Sequence, residues 1–238
     1  PESQMLAAEK ELLGFYISGH PLTAFEWVLE KFNLADTKTL ETMPSNTMTR
    51  IGGLVSQLEK KFTKKSQKPM ATFKLEHLDG AVEAIAFPDT YENYGVHLKE
   101  DAPIMICGEL VHGDGGTKIK AAEIYPLPDV HKLFLEKISL HLPAAHMDDA
   151  KFSAIRDILI RHAGDTPVII CLQFEGGEKL FMDTDRKFKV SVSEKLVHEL
   201  EHILGEESIY LAINKNPCRR SNGPRNGGHF GYRRSNDF

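Results

Sequence analysis

Between Arg50 and Tyr125 the sequence breaks into five short runs of β-forming residues, and this rhythm limits the possible folds more than any other feature. The runs fall at about residues 50–62 (RIGGLVSQLEKKF), 70–78 (MATFKLEHL), 81–87 (AVEAIAF), 103–112 (PIMICGELVH) and 117–125 (TKIKAAEIY), with turn residues between them. Leu78-Asp79-Gly80-Ala81 is a tight hairpin signal, because Asp-Gly supplies the positive φ that a two-residue turn needs. Pro88 to Leu98, between the third and fourth runs, predicts one short helix. Gly52 and Gly53 stand where a closing sheet must bend sharply. Three strands, a helix and two strands in this order predict a five-stranded Greek-key barrel of the OB-fold type.

The flanking segments have a different texture. Residues 3–17 place Met5, Ala8, Leu12 and Phe15 at helical spacing, widened by Leu6, Leu13 and Tyr16, which predicts an amphipathic helix. Gly19 ends it, and Pro21 suits the first turn of a second helix whose apolar side is Leu22, Phe25, Trp27, Leu29 and Phe32. The stretch ELLGFYISGHPL is therefore a helix–corner–helix, with His20 capping or packing in the corner. Residues 126–137 read as a connector. Beyond them come a strand at 138–142, a helix at 149–163, strands at 167–174, 178–184 and 187–191, a helix at 193–204 and a strand at 208–213. The first helix is expected to bury Phe152, Ile155 and Leu159; the second, Leu196, Leu200, Ile203 and Leu204, with Ser191 and Glu194 as a capping box. The pattern predicts a small α/β domain whose mixed sheet carries helices on one or both faces. The last stretch, KNPCRRSNGPRNGGHFGYRRSNDF, has the Arg, Gly and Asn bias of a disordered tail. The fold class expected is thus multidomain α+β: a helical connector at 1–49, an OB-fold barrel at 50–126, an α/β domain at 127–213 and a basic tail at 214–238.

Composition sets the chemical context. Hydrophobic residues make up 41% of the 238 and charged residues 26%, and no apolar run nears the ~20 residues of a membrane span. With no signal peptide evident, a soluble cytoplasmic chain is expected. Cys107, Cys171 and Cys218 are too far apart in sequence for a C-x-x-C metal knuckle or a disulfide framework, which also suits a reducing compartment. The net charge of −5 conceals an asymmetry: residues 134–213 carry fourteen acidic and nine basic side chains, and residues 214–238 six basic and one acidic.

Two motifs suggest catalysis and fall short of it. His198-Glu199-Leu200-Glu201-His202 is a literal H-E-x-x-H that could hold zinc with Glu199 as general base. On a helical wheel, however, Leu200, Ile203 and Val197 form the apolar arc, so both histidines point to solvent. Asp183 and Asp185 could share a strand face and hold magnesium, but no phosphate cradle or third carboxylate accompanies them, and a polar hairpin end is expected instead. No nucleophile elbow is present, so no catalytic residue is assigned. The informative cluster is non-catalytic: Lys60, Lys61, Lys64, Lys65 and Lys68 fall within nine residues, between the first two barrel strands. In OB-folds that loop and the face of strands two and three meet single-stranded nucleic acid. Phe62 and Phe73 flank the cluster as candidates for base stacking.

Beyond these physical signals, EKELLGFYISGHPL, the barrel sequence IGGLVSQLEKKFTKKSQKPMATFKLEHLDGAVEAIAFPDTYENY and GELVHGDGGTKIKAAEI resemble the C-terminal region of the bacterial replicative DNA polymerase III alpha subunits. HAGDTPVIICLQF and FKVSVSEKLVHELEHILGEESIYL resemble that family's final domain, so the likeness runs from about residue 2 to 213. It implies a fragment of a magnesium-dependent nucleotidyltransferase, with the palm aspartates, the phosphoesterase-like domain and the helix-hairpin-helix pair all upstream. It implies no catalysis and no cofactor here, single-stranded template at the barrel, and the clamp-loader tau subunit at the final domain. The sliding clamp would bind upstream; Gln4-Met5-Leu6-Ala7 does not match its peptide. The Arg/Gly tail departs from the family pattern. The alternatives are a protein-interaction platform that binds no nucleic acid, and an H-E-x-x-H zinc hydrolase.

Overall fold

The computed structural model describes residues 20–113 and 115–219. The helix expected over 3–17 and the tail beyond residue 219 lie outside them. Five strands, β1 (Met48–Phe62), β2 (Pro69–His77), β3 (Gly80–Ala86), β4 (Pro103–Gly113) and β5 (Gly116–Pro126), close into a barrel in the order β1-β2-β3-β5-β4. The β3–β5 pair is parallel and the others are antiparallel. This is the expected OB-type barrel, with the expected short helix at Pro88–Tyr94 between β3 and β4.

Strand alternation decides what fills the barrel. Ile51 and Val55 of β1, Phe73 and Leu75 of β2, Val82 and Ala84 of β3, Ile104 and Ile106 of β4 and Ile119 of β5 point inward and form one buried cluster. A β-bulge interrupts β1 beyond Gly52 and Gly53. The register between β1 and β2 shifts between Ser56 and Glu59, where Gln57 has φ +50°. The Glu100 carboxylate holds this bulge by accepting from the backbone N–H groups of Gln57 (2.9 Å) and Leu58 (3.2 Å).

Gly52 and Gly53 serve close approach. A Cβ on Gly52 would lie 2.5 Å from Leu29 Cδ2, and one on Gly53 would lie 2.5 Å from the Glu76 carbonyl oxygen. The hairpin at Asp79-Gly80 forms, but one position earlier than the sequence suggests. His77 pairs with Gly80, so Leu78 and Asp79 make the turn, and Gly80 does not take a positive φ. A type I turn needs none. Gly80 instead leaves room for Thr37, whose Oγ1 would be 2.7 Å from an added Cβ.

Among the described residues, two short α-helices precede the barrel, α1 (Glu26–Phe32) and α2 (Thr37–Thr42). Pro21 does not open α1. It sits in a turn in which His20 accepts from Leu22 N at Nδ1 (3.2 Å) and from Thr23 N at its carbonyl (2.8 Å), and a 3₁₀ turn at Thr23–Phe25 follows. With the Pro88–Tyr94 helix as α3, the chain leaves β5 through α4 (Val130–Phe134) into a second, four-stranded sheet. Its strands are β6 (Leu135–Pro143), β8 (Val168–Gln173), β9 (Lys179–Asp183) and β10 (Ile209–Ile213), ordered β10-β6-β8-β9, with β7 (Ala163–Thr166) apart from it. The sheet is mixed, because β6 and β8 run parallel.

Helices α5 (Asp149–Arg161) and α6 (Glu194–Leu204) bury Ile155, Ile158, Leu159, Leu196 and Leu200 with Ile138, Leu140 and Leu142 of β6. Three expectations change here. Phe152 is 40% exposed, and Ile158 takes its place in the core. Ser193, not Ser191, caps α6, its Oγ accepting from Leu196 N, because the helix begins at Glu194 and Ser193 is the residue that precedes it. Residues 187–191 form no strand: Asp185 caps a 3₁₀ turn at Arg186–Phe188, and Val190 makes isolated bridges to Ala163 and Thr166.

The outer side of β1, β4 and β5 is not left to solvent. Leu54, Met105 and Cys107 join Leu29 and Phe32 of α1, Val130 and Phe134 of α4, and the core of the second sheet in one continuous cluster. Arg50 lies at its centre, fully buried. Its guanidinium donates to the carbonyls of Phe32 (2.8 Å), Asn216 (3.0 Å) and Asn214 (3.2 Å), and stacks 3.9 Å from the centroid of the Phe134 ring. Residues 214–219, assigned from composition to the disordered tail, are therefore ordered against the barrel. Arg50→Met keeps the apolar stem and deprives three carbonyls of their donors. In urea denaturation it is expected to lose about 3 kcal/mol of stability, the cost of buried unsatisfied acceptors; an unchanged midpoint would show the guanidinium to be dispensable.

Candidate nucleic-acid interface

The remaining outer face, across the far half of β1 and along β2, β3 and the start of β5, is open. The turn joining β1 to β2 presents Lys64, Lys65 and Lys68, all exposed. It is an ordered turn: Thr63 N donates to the Lys68 carbonyl (2.9 Å), Lys68 N to Thr63 Oγ1 (3.2 Å) and Gln67 N to the Thr63 carbonyl (3.0 Å). Lys60 and Lys61 stand on the adjoining end of β1, both exposed. Lys61 pairs with Glu59, which offsets its charge locally. Among the described residues, the other four lysines of the cluster have no carboxylate within 4.0 Å. Four ammonium groups at one end of the barrel are thus available to phosphates.

The two aromatic candidates part company. Phe62 is 66% exposed beside the lysines, whereas Phe73 is 3% exposed in the barrel interior. The stacking role expected of Phe73 is therefore wrong: it shares the inward parity of Ala71 and Leu75, and no base can reach it.

The same alternation brings forward residues that local charge density does not reveal. Lys74 on β2 pairs across with Glu83 on β3, and Thr72 with Ile85. On the next strand Lys118 lies beside Glu83, and Lys120 beside Ile85. One acidic residue thus stands among several bases. Lys118 reaches Glu83 at 2.7 Å, and it holds the Glu83 carboxyl below the usual carboxylate range, with further pull from Lys74 and Lys61. Phe87, just past β3, continues the outward row of Glu83 and Ile85 and is 43% exposed. The alternation in FKLE and TKIK is the signal for Lys74, Lys118 and Lys120; a search along the chain for clustered charge misses it because their neighbours are inward apolar residues.

Neither catalytic motif assembles. His198 and His202 are exposed on α6, as the wheel requires, and Glu199 turns away to Arg161 (3.4 Å), His162 (3.3 Å) and Lys195 (4.0 Å). Asp185 Oδ1 accepts from Lys187 N, so it serves as a turn cap. No helix among the described residues is long and apolar enough to cross a membrane.

Denaturation separates these assignments. Phe73→Ala is expected to cost about 3–5 kcal/mol as a large-to-small core change. Phe62→Ala should stay within about 0.5 kcal/mol of the parent, as exposed sites do. A mild effect at Phe73 would contradict its interior placement.

Residues 49–127 match the family described as OB-fold nucleic acid binding domain. Among curated proteins, the chain is 30% identical over 217 residues to DNA polymerase III subunit alpha of Saccharopolyspora erythraea, covering 86% of this chain and 18% of that protein. It is 28% identical over 207 residues to the subunit of the same name from Mycobacterium tuberculosis, covering 86% of this chain and 17% of that protein. Among solved structures, the small single-stranded DNA-binding protein of Streptomyces coelicolor is 15% identical, with a TM-score of 0.29, over 35% of this chain and 95% of that one. The chain thus spans less than a fifth of the length of the curated relatives it matches. Across most of its own length it is homologous to the bacterial DNA polymerase III alpha subunits.

Proposed function

We propose that this chain is the template-handling and assembly end of a replicative DNA polymerase III alpha subunit, which binds single-stranded DNA along the lysine-bearing face of its barrel. The observation that carries this reading is the placement of Lys64, Lys65 and Lys68 on an ordered turn at the end of the face that bears Lys61, Lys74, Lys118 and Lys120; Lys60 lies on the other side of that hairpin, opposite Ala71. Ammonium groups spaced along such a face neutralise successive phosphates and release their counterions, which gives binding that tolerates sequence and weakens with salt. Phe62 and Phe87 offer exposed rings to unstacked bases. Polymerisation itself, with its magnesium-binding carboxylates, belongs in this reading to the part of the longer subunit that the matched segment does not include. The sliding clamp likewise engages upstream.

The second sheet is proposed to dock the tau subunit of the clamp loader. Support comes from its acidic balance and from exposed apolar side chains at its rim: Phe181 is 60% exposed, Leu180 48% and Tyr210 50%. Tyr210 packs against His141, the ring centroids 4.1 Å apart and the planes tilted by 37°. A zinc hydrolase built on His198, Glu199 and His202 has no comparable support, because Glu199 is held in ion pairs.

Fluorescence anisotropy with labelled oligonucleotides tests the DNA reading. The expected result is salt-dependent binding to single strands that Lys64→Ala, Lys65→Ala and Lys68→Ala together weaken. Their removal should also flatten the plot of log affinity against log salt by about 0.7 for each phosphate left without its ammonium partner. Phe62→Ala or Phe87→Ala should cost about 1–3 kcal/mol of binding if the ring stacks a base. Absent or salt-independent binding would leave an interaction platform as the better reading. Capture of tau by chains with and without the barrel then decides whether the second sheet suffices.

A further inference from the structure

The three cysteines are scattered in sequence, yet the fold brings two of them to one carboxylate. Arg50, Cys107 and Glu123 are neighbours across β1, β4 and β5: Arg50 pairs with Cys107, and Cys107 with Glu123. All three face outward from the barrel and are buried by what covers it, with Cys107 at 0% and Glu123 at 3% exposure. Cys218 arrives over this row from the segment after β10. The Sγ atoms of Cys107 and Cys218 and a carboxylate oxygen of Glu123 all lie within 4.8 Å of one another. Glu123 is also oriented by its surroundings, because Oε2 accepts from the Tyr125 hydroxyl (3.0 Å) and from Arg219 N (2.7 Å). A cleft of about 790 Å³, lined in part by Glu123, Cys218, Asn216 and Tyr94, opens beside the group.

We propose that Cys107, Cys218 and Glu123 form a binding site for a thiophilic divalent cation of the zinc class, with water from the cleft in the fourth position. Three protein ligands with one open position is a known zinc arrangement, and tetrahedral bonds of about 2.0–2.3 Å place ligand atoms roughly 3.3–3.8 Å apart, so the group closes by at most about 1.5 Å on loading. Two thiols exclude magnesium and calcium, which demand oxygen ligands. The loading reaction balances as one divalent ion and two thiols giving the bis-thiolate complex and two protons released to solvent. Charge balances too. Two thiolates and a carboxylate carry three negative charges; Arg50 offsets one, and the ion offsets two.

The bound ion would tie residues 214–219 to β4 and β5, beside the carbonyls that Arg50 already holds.

Cobalt(II) titration of the reduced, metal-stripped full chain tests this. Expected are one equivalent bound per chain, tetrahedral d–d bands with a thiolate-to-cobalt charge-transfer band, and displacement by zinc. Cys218→Ser, at a half-buried position on the terminal segment, should abolish the charge-transfer band, Glu123→Gln should weaken binding about 10-fold or more, and Cys171→Ser should change neither. Affinity should fall by up to about 100-fold per unit of falling pH, as two protons compete for the thiolates. The proposal is overturned by the absence of a stoichiometric charge-transfer band, by a band indifferent to Cys218→Ser, by cobalt binding that disappears in His202→Ala instead, or by a resting Cys107–Cys218 disulfide under reducing conditions.

Discussion

A single guanidinium holds the architecture together. Arg50 sits on the outer face of the first barrel strand, where a free-standing barrel would meet water, and is buried there completely. Burial pushes its pKa down, and the adjacent thiols of Cys107 and Cys218 draw it back up. What makes burial tolerable is that its donors meet carbonyls from before the barrel and from after the second sheet, and that its flat face lies on Phe134. Segments separated by more than 160 residues thus converge on one side chain. A lysine could offer neither the forked donors nor the planar stack.

That convergence divides the outside of the barrel in two. Where β1, β4 and β5 carry Arg50, Gly52, Leu54, Met105, Cys107 and Glu123, the surface is buried beneath the rest of the molecule. Where β2, β3 and the start of β5 carry Lys74, Glu83, Ile85, Lys118 and Lys120, it belongs to solvent. The burial of β1 on both faces from Thr49 to Ser56, followed by exposure on both faces beyond Gln57, is this division within one strand. The bulge at Gln57, held by Glu100, lies at the changeover. An OB barrel has one flank to spend on packing and one on ligand, and here the apolar and charged residues of its strands have sorted accordingly.

The sequence made the barrel legible because each strand alternates cleanly and each turn is marked. The reasons behind some of its marks were different, however. Gly80 and Gly52 are small to admit Thr37 and Leu29, neighbours distant in the chain that no local rule can see. Phe73 is near the lysines in sequence, yet strand parity puts it inside. Lys74, Lys118 and Lys120 escape a linear reading for the converse reason, since charges that gather only across strands do not gather along them. The order of residues 214–219 was the least legible feature: a polar, Arg-rich segment gives no hint that its carbonyls satisfy a buried arginine or that its cysteine meets another 111 positions earlier.

One flank of the barrel is proposed to take a single strand of DNA, while the other is sealed by the rest of the molecule. The most direct measurement is an amide chemical-shift titration of the isotope-labelled chain with an oligo-deoxythymidine. Perturbations are predicted on the β1–β2 turn and on residues 72–74, 83–87 and 118–120, with the second sheet silent. Shifts centred on α6 or the second sheet, or none at a concentration where anisotropy reports binding, would contradict the account.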